Sequence, residues 1–418
     1  MTIAALLLVA APATAQEAPA DALLERARAI LAGTPLVDGH NDLPWQIRGR
    51  AGGDLDSLDV AEPKPELMTD LARLEEGGVG AQFWSAYVPT EYIHSGGAAR
   101  FVLKQIDLIH RLADEYDALE FATTADEVVA IHGEGKVASL IGIEGGHAIE
   151  NSLDLLRDYH RLGARYMTLT HGETIDWADS ATDEPEHGGL SAWGERVVRE
   201  MNRLGMLVDL SHVSDSTMVD ALRVTEAPVI FSHSSARALA DVPRNVPDPV
   251  LRMLPENGGV VMVTFVPAYI SDEVGADHDR LAEIRGEILD AFRGDTVGAR
   301  EAFERLLANP PARATLSQVA DHVDHVVEVA GIDHVGLGSD FDGITTVVEG
   351  LEDVATFPAL VAELLRRGYT EAEVRKIVGE NALRVMREAE AVAARLREEM
   401  DPIVEEFPGE SPRPLGWD

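Results

Sequence analysis

ARYMTLTHG (residues 164–172), LVDLSHV (207–213) and PVIFSHSSA (228–236) are three successive apolar runs, and each closes on a histidine: His171, His212 and His233. Short apolar runs bounded by turn residues read as strands buried on both faces, the habit of parallel sheets covered by helices. The chain has 14 histidines in 418 residues, which would rarely fall this way by chance. Working outward, five more runs share the character: Pro35–Asp42, Val79–Val88, Val137–Gly146, Gly258–Pro267 and His334–Gly343. Amphipathic helical stretches separate most of them, at Ala98–Tyr116, Leu153–Leu162, Gly194–Leu204, Asp215–Arg223 and Leu316–Ala330. Eight such strands with helical crossovers predict a closed parallel barrel of the α/β class, a (β/α)8 TIM-like fold. The alternative is an open doubly wound sheet, with its polar residues at one switch point and a Gly-rich turn after the first strand. No GxGxxG follows Pro35–Asp42, and polar residues end many of the runs.

One barrel domain is expected over residues 16–400. Ser271–Arg313 reads as a charged insertion after the seventh predicted strand. Its helical stretches, Asp279–Phe292 and Val297–Leu307, are expected over or beside the barrel mouth. A last helix is expected at Glu371–Met400, then an irregular acidic tail, Asp401–Asp418. At the start, the apolar run Ile3–Ala11 leads to Ala13-Thr14-Ala15, an A-x-A cleavage pattern, so residues 1–15 are expected to be a signal peptide. The expectation is an exported bacterial protein, periplasmic or secreted, whose mature chain does not insert stably into a membrane.

Acidic residues number 73 against 35 basic, a net charge of −38. That field repels phosphate backbones and anionic lipid, which excludes a nucleic-acid binder and disfavours a membrane-surface one. Cysteine is absent, which removes disulfides, thiolate metal sites and thiol nucleophiles together. Any metal must be held by His, Asp and Glu.

Those residues stand at the predicted strand ends. His40 and Asp42 are two apart, so they share one face of an extended strand. Glu144 closes the apolar run Ser139–Ile143, where a carboxylate is costly unless paired or metal-bound. Asp340 ends the eighth run. In a parallel barrel these ends converge on one face with His171, His212 and His233. Nitrogen and oxygen donors without thiolate suit zinc first, then manganese, cobalt or iron. The set exceeds the four ligands of a structural tetrahedral site, which favours two metals plus catalytic groups. His147 reads as orienting the Glu144 loop or capping the next helix, His322 and His325 as surface or packing residues, and Trp45, Trp84, Trp177 and Trp193 as packing. Trp84 and Tyr87 are also candidates to line a pocket.

VDGHNDLPWQ (37–46), GGVGAQFWSAYVP (77–89), VASLIGIEGGH (137–147), RYMTLTH (165–171), FSHSSA (231–236), RNVPD (244–248), LSQVADHVDHV (316–326), VGLGSDFDG (335–343) and GLEDV (350–354) together resemble the membrane (renal) dipeptidase family, zinc dipeptidases of the amidohydrolase superfamily. The resemblance runs from about Thr34 to Ala391. It implies His40 and Asp42 as ligands of a first zinc, Glu144 as the bridging carboxylate, and His212 and His233 as ligands of a second. It implies His171 as the histidine that contacts substrate and polarises the scissile carbonyl, Arg244 as the partner of the dipeptide carboxylate, and Asp340 as the acid/base. It also implies a homodimer. The stretch Gly172-Glu173-Thr174-Ile175-Asp176 departs from the family's asparagine-containing stretch there. The expected reaction is amide hydrolysis of dipeptides by a metal-bridging hydroxide. Two alternatives stay open: hydrolysis of lactams or N-acyl amino acids at the same site, and a non-catalytic metal- or peptide-binding protein of the cell envelope. Export predicts a mature chain starting at or near Gln16; mass spectrometry of the protein from its own cells should not find Met1 in the main pool.

Overall fold

Each apolar run becomes a parallel strand, shorter than the run itself. The computed structural model describes residues 20–293, 298, 300, 302 and 312–408. The expected signal peptide, most of Val297–Leu307 and residues 409–418 lie outside the described residues. The strands are β1 (Leu36–Asn41), β2 (Val79–Tyr87), β3 (Leu119–Phe121), β4 (Val137–Glu144), β5 (Ala164–Thr168), β6 (Leu207–Asp209), β7 (Ile230–Phe231), β8 (Val260–Val263) and β9 (Val335–Leu337). Eight of them close a ring, β1-β2-β4-β5-β6-β7-β8-β9, sealed where Asp38 of β1 pairs with Leu337 of β9. The ring is the expected (β/α)8 barrel. The extra strand β3 pairs only with Val137–Ser139 at the start of β4.

One expectation is corrected. His171, His212, His233 and Asp340 do not end strands but lie two or three residues beyond β5, β6, β7 and β9. The backbone gives the reason. His212 (φ 69) and Asp340 (φ 66) adopt the left-handed conformation, which no strand accommodates. Glu144 does end its strand, and His40 lies within β1.

Period-two alternation sorts the strand residues. Val37, Phe83, Leu140, Tyr166, Leu207, Ile230, Val260 and Met262 belong to one cluster, inside the barrel. Leu36, Trp84, Ile141, Met167, Val208, Phe231, Val261 and Val263 belong to the larger cluster under the helices. Trp84 is therefore a packing residue, its indole donating to Ser139 Oγ at 3.0 Å. On the outer face Asp38 accepts from Ser339 N (2.7 Å) and Ser339 Oγ (2.6 Å), which fastens the β1–β9 seam.

The insertion helix starts earlier than expected, at Asp272–Ala291, after a short turn at Pro267–Ile270. The last helix is broken by a π turn at Lys376–Glu380 before Asn381–Glu399. Among the described residues no helix is long and apolar enough to cross a membrane. Residues 401–408 carry no regular structure yet are clipped down. Glu200, fully buried, accepts from Arg157 (3.1 Å), from Arg203 (2.7 and 2.9 Å) and from the Ile403 amide (3.3 Å). Arg157 also donates to the Ile403 carbonyl at 2.9 Å. Glu200→Ala would leave two buried guanidiniums without this carboxylate. It should destabilise the fold by about 3–5 kcal/mol, read as a lower guanidinium unfolding midpoint with ligand-site metal content unchanged.

Candidate metal centre

The inner face of the barrel turns polar towards its C-terminal mouth. Thr168, Asp209 and Ser232 continue the inward series of Tyr166, Leu207 and Ile230, and all are buried. Asp209 Oδ1 accepts from the amides of Ser211 (3.1 Å) and Ser232 (2.8 Å); Oδ2 accepts from Thr168 Oγ1 (2.5 Å) and Ser232 Oγ (2.7 Å). This layer is the floor of the candidate site.

Above it stand the predicted ligands. Because Val37 faces inward, strict alternation would turn His40 outward. A register irregularity between Asp38 and Asn41 re-aims it, as bulges beside active sites do. Gly39 makes this possible, since a Cβ there would collide with the Ser232 carbonyl and the Met262 side chain. His40 Nε2 then lies 3.2 Å from Asp42 Oδ2 and 3.5 Å from Glu144 Oε2. The other Glu144 oxygen, Oε1, faces His212 Nε2 (3.1 Å), His233 Nε2 (3.6 Å) and His171 Nε2 (3.7 Å). His212 and His233 meet Nε2 to Nε2 at 3.0 Å. Three overlapping triads have donor atoms within 4.8 Å of one another: His40, Glu144 and His233; Glu144, His171 and His212; His40, Asp42 and Asp340. All seven predicted residues thus meet in one place, and His171 is close enough to count among the possible ligands.

Electrostatics marks the same place. Burial pushes His212 and His233 well below the ordinary imidazole range, and it lowers His171 against the pull of Glu144. Burial acts on His40 too, but Tyr166, Glu144 and Asp42 outweigh it and hold the ring well above that range. Burial also works against ionisation of Glu144, yet His40 and His171 keep its carboxyl well below the usual range. Asp340 is raised well above it by burial and by the charges of Asp42 and Glu144, against His40 and Arg244. Imidazole nitrogens and carboxylate oxygens clustered without thiolate fit a divalent cation of borderline hardness.

The cluster opens into a cavity of about 870 Å³ lined also by Trp45, Tyr87, Arg244, Tyr269 and Asp272. Arg244 is 3% exposed, and among the described residues it forms no ion pair. Its contacts are long ones to Ser234 Oγ and the His233 carbonyl (both 3.4 Å), with its guanidinium 5.3 Å from the Tyr269 ring centre. Trp45, read from sequence as packing, lines the cavity; its place three residues after Asp42 was the available signal. Trp177 and Trp193 are buried packing residues as read. Tyr269, in the turn Pro267–Ile270, and Asp272, at the start of the insertion, were missed because no ligand pattern announces them. His147 Nε2 donates to the Val88 carbonyl (3.1 Å) beside the Glu144 turn.

A closed parallel barrel that gathers histidines and carboxylates at the C-terminal ends of its strands defines a metal-dependent hydrolase class. The membrane dipeptidase family model, peptidase family M19, matches residues 24–400, and the chain belongs to that family. It is similar to Dipeptidase verJ of Clonostachys rogersoniana, 42% identical over 406 residues and 94% of each chain. Dipeptidase 3 of Mus musculus is 41% identical over 375 residues, 88% of this chain and 67% of the mouse protein. Among solved structures, a metallopeptidase from Rhodobacter sphaeroides liganded with a phosphinate mimic of the dipeptide L-Ala-D-Ala aligns with a TM-score of 0.70 and 26% identity, over 85% of this chain and 99% of that one. The probable dipeptidase PvdM from Pseudomonas aeruginosa shares the fold, with a TM-score of 0.76 at 24% identity over 89% and 100% of the two chains.

His322 ties the Arg244 loop to the Tyr269 turn. Its Nδ1 accepts from Ala236 N and its Nε2 donates to the Ile270 carbonyl, each at 3.0 Å. Burial lowers its pKa from 6.5 to about 4. Between those values the unfolded chain takes up a proton that the folded chain refuses. The stability is therefore complete above the unfolded value and is lost as pH falls through the folded one. In metal-stripped protein, His322→Gln should flatten the loss of unfolding free energy between pH 6.5 and 4 by up to one proton's worth, about 1.4 kcal/mol per pH unit. Denaturation curves across that range check it.

Proposed function

We propose that this protein is a dipeptidase that hydrolyses the single amide bond of a dipeptide with two divalent metals, zinc first among them. The observation that carries the reading is Arg244, a buried guanidinium without an ion pair among the described residues, on the wall of the cavity that holds the ligand cluster. A buried cation is costly to leave without a counter-charge, and a free α-carboxylate is the matching bidentate partner. An internal peptide bond would offer no charge there, so the arginine limits the substrate to two residues.

Glu144 would be the ligand shared by the two ions. His40 and Asp42 would complete one site, His212 and His233 the other. When bound, the metal pair supplies a water acidified to near-neutral pKa and a Lewis acid for the carbonyl oxygen. His171 stands at the cavity side of Glu144, where it can donate to the oxygen that gains charge. Asp340 would take the water's proton as the new C–O bond forms and return it to the leaving nitrogen, after which the amide C–N bond breaks and the products are two amino acids. Asp340 stands against His40 and Asp42, where it can hold that proton before passing it on.

Two tests follow. Elemental analysis of reconstituted protein should find two tightly held ions per chain; one or none would remove the bridging role of Glu144. Arg244→Ala should cost about 2–4 kcal/mol in kcat/KM, roughly 30- to 900-fold, with metal content unchanged. Arg244→Lys should recover part of the loss, because an ammonium lacks the planar fork. For the wild type, amidating the dipeptide's C-terminus should cost a similar factor, whereas Arg244→Ala should treat acid and amide nearly alike. Equal turnover of acid and amide by the wild type would shift the reading to an acyl-amide hydrolase that does not recognise the carboxylate.

A further inference from the structure

Two of the candidate ligands are backed by hydroxyl groups, and the two hydroxyls are held in different ways. His233 Nδ1 lies 2.8 Å from Ser232 Oγ, which donates to Asp209 Oδ2 at 2.7 Å. A hydroxyl has one proton. Spent on the acceptor-only carboxylate, it leaves Ser232 Oγ to accept, so His233 must carry its proton on Nδ1 and present a bare Nε2. His40 Nδ1 lies 2.9 Å from the Tyr166 hydroxyl, which donates to the Gly39 carbonyl at 3.2 Å. The same logic keeps a proton on His40 Nδ1, so a metal at Nε2 would displace only a proton held there. Tyr166 reaches across the barrel interior from β5 to β1, over Gly142 of β4, where any Cβ would overlap its ring.

We infer that Asp209, through Ser232, and Tyr166 are positioning residues that fix the tautomers of His233 and His40 and so set the metal affinity of the two poles separately. The inference rests on the two-metal reading above. Asp209 is the stronger case because its surroundings are directional. Its Oδ1 receives two backbone amides, which cannot reverse, while its Oδ2 receives two hydroxyls, which can. In Asp209→Asn the amide NH2 must therefore turn to the hydroxyl side. Ser232 Oγ then accepts from it and donates to His233 Nδ1, and the histidine proton moves to Nε2, where it blocks a metal. An isosteric change that touches no ligand would thereby invert one ligand's tautomer. Tyr166→Phe acts differently: it keeps the ring over Gly142 and removes only the hydroxyl.

The test uses the full chain and two readouts. Nitrogen-15 shifts of the histidine rings, assigned by Ser232→Ala and His233→Gln, report the tautomer with or without metal. His233 should be the Nδ1–H form in the wild type and the Nε2–H form in Asp209→Asn. Zinc competition against a chelator should show one of two ions weakened about 10- to 100-fold in each of Asp209→Asn and Tyr166→Phe, and both weakened in the double variant. An Nε2–H tautomer for wild-type His233, or an unchanged His233 tautomer in Asp209→Asn, overturns the inference. So does a double variant that keeps one ion at wild-type affinity. A wild type that holds fewer than two ions sinks the two-metal reading instead, and the tautomer measurement still decides this one.

Discussion

Glu144 is a carboxylate, 5% exposed, at the end of an otherwise apolar strand. Burying that charge is tolerable only if both oxygens meet donors or cations, and most of the barrel's C-terminal end can be understood as supplying them. Ser85 donates to Oε2 from the neighbouring strand at 3.1 Å, and His40 stands on the same side. His212, His233 and His171 approach Oε1 from three consecutive loops. The β1 irregularity that re-aims His40 and the left-handed turn that presents His212 are deviations from regular strand geometry. Both bring nitrogen to this one carboxylate.

The second layer carries the constraint downwards. A barrel interior is ordinarily filled by stacked aliphatic side chains, and here Val37, Leu140, Leu207 and Ile230 serve that role at the lower levels. Directly under the histidine and carboxylate cluster the filling changes to Thr168, Asp209, Ser232 and the Tyr166 hydroxyl. Each polar atom in this layer is satisfied within it or by backbone, as a buried network must be if it is to stabilise the fold at all.

How much of this was legible beforehand follows from what leaves a periodic trace. Strands buried on both faces must be apolar throughout, so the eight barrel strands were visible as runs. The polar groups of a parallel barrel's site gather at one end of its strands, so His212, His233 and Asp340 were visible as the polar closures of those runs. The exact strand ends were not, because a left-handed residue such as Asp340 has no compositional mark when it is not glycine. β3 was missed because three residues pairing with one strand's start leave no periodic trace. Asp209 and Ser232 drew no separate reading inside the runs 207–213 and 228–236, because the direction of their hydrogen bonds is not encoded locally in sequence. Tyr269 went unread for a related reason, since the turn leading into an insertion is positioned by packing and not by the barrel's repeat.

The closure of β1 on β9 joins the first strand of the ring to the last, and it has a consequence for how the site comes into being. His40 and Asp340 face one another only after some three hundred residues of intervening chain have been laid down and the seam at Asp38 and Leu337 has formed. The five candidate ligands all lie between His40 and His233, but a chain that stops there lacks β8 and β9 and cannot close the ring, so it offers a cation imidazoles and carboxylates that the barrel does not yet hold in place. Because a cation that binds the finished barrel and not its precursors stabilises the finished form alone, occupancy becomes a record of completed synthesis. Where the ion is scarce, the resistance of these molecules to proteases would report the local supply of metal as well as the quality of the fold.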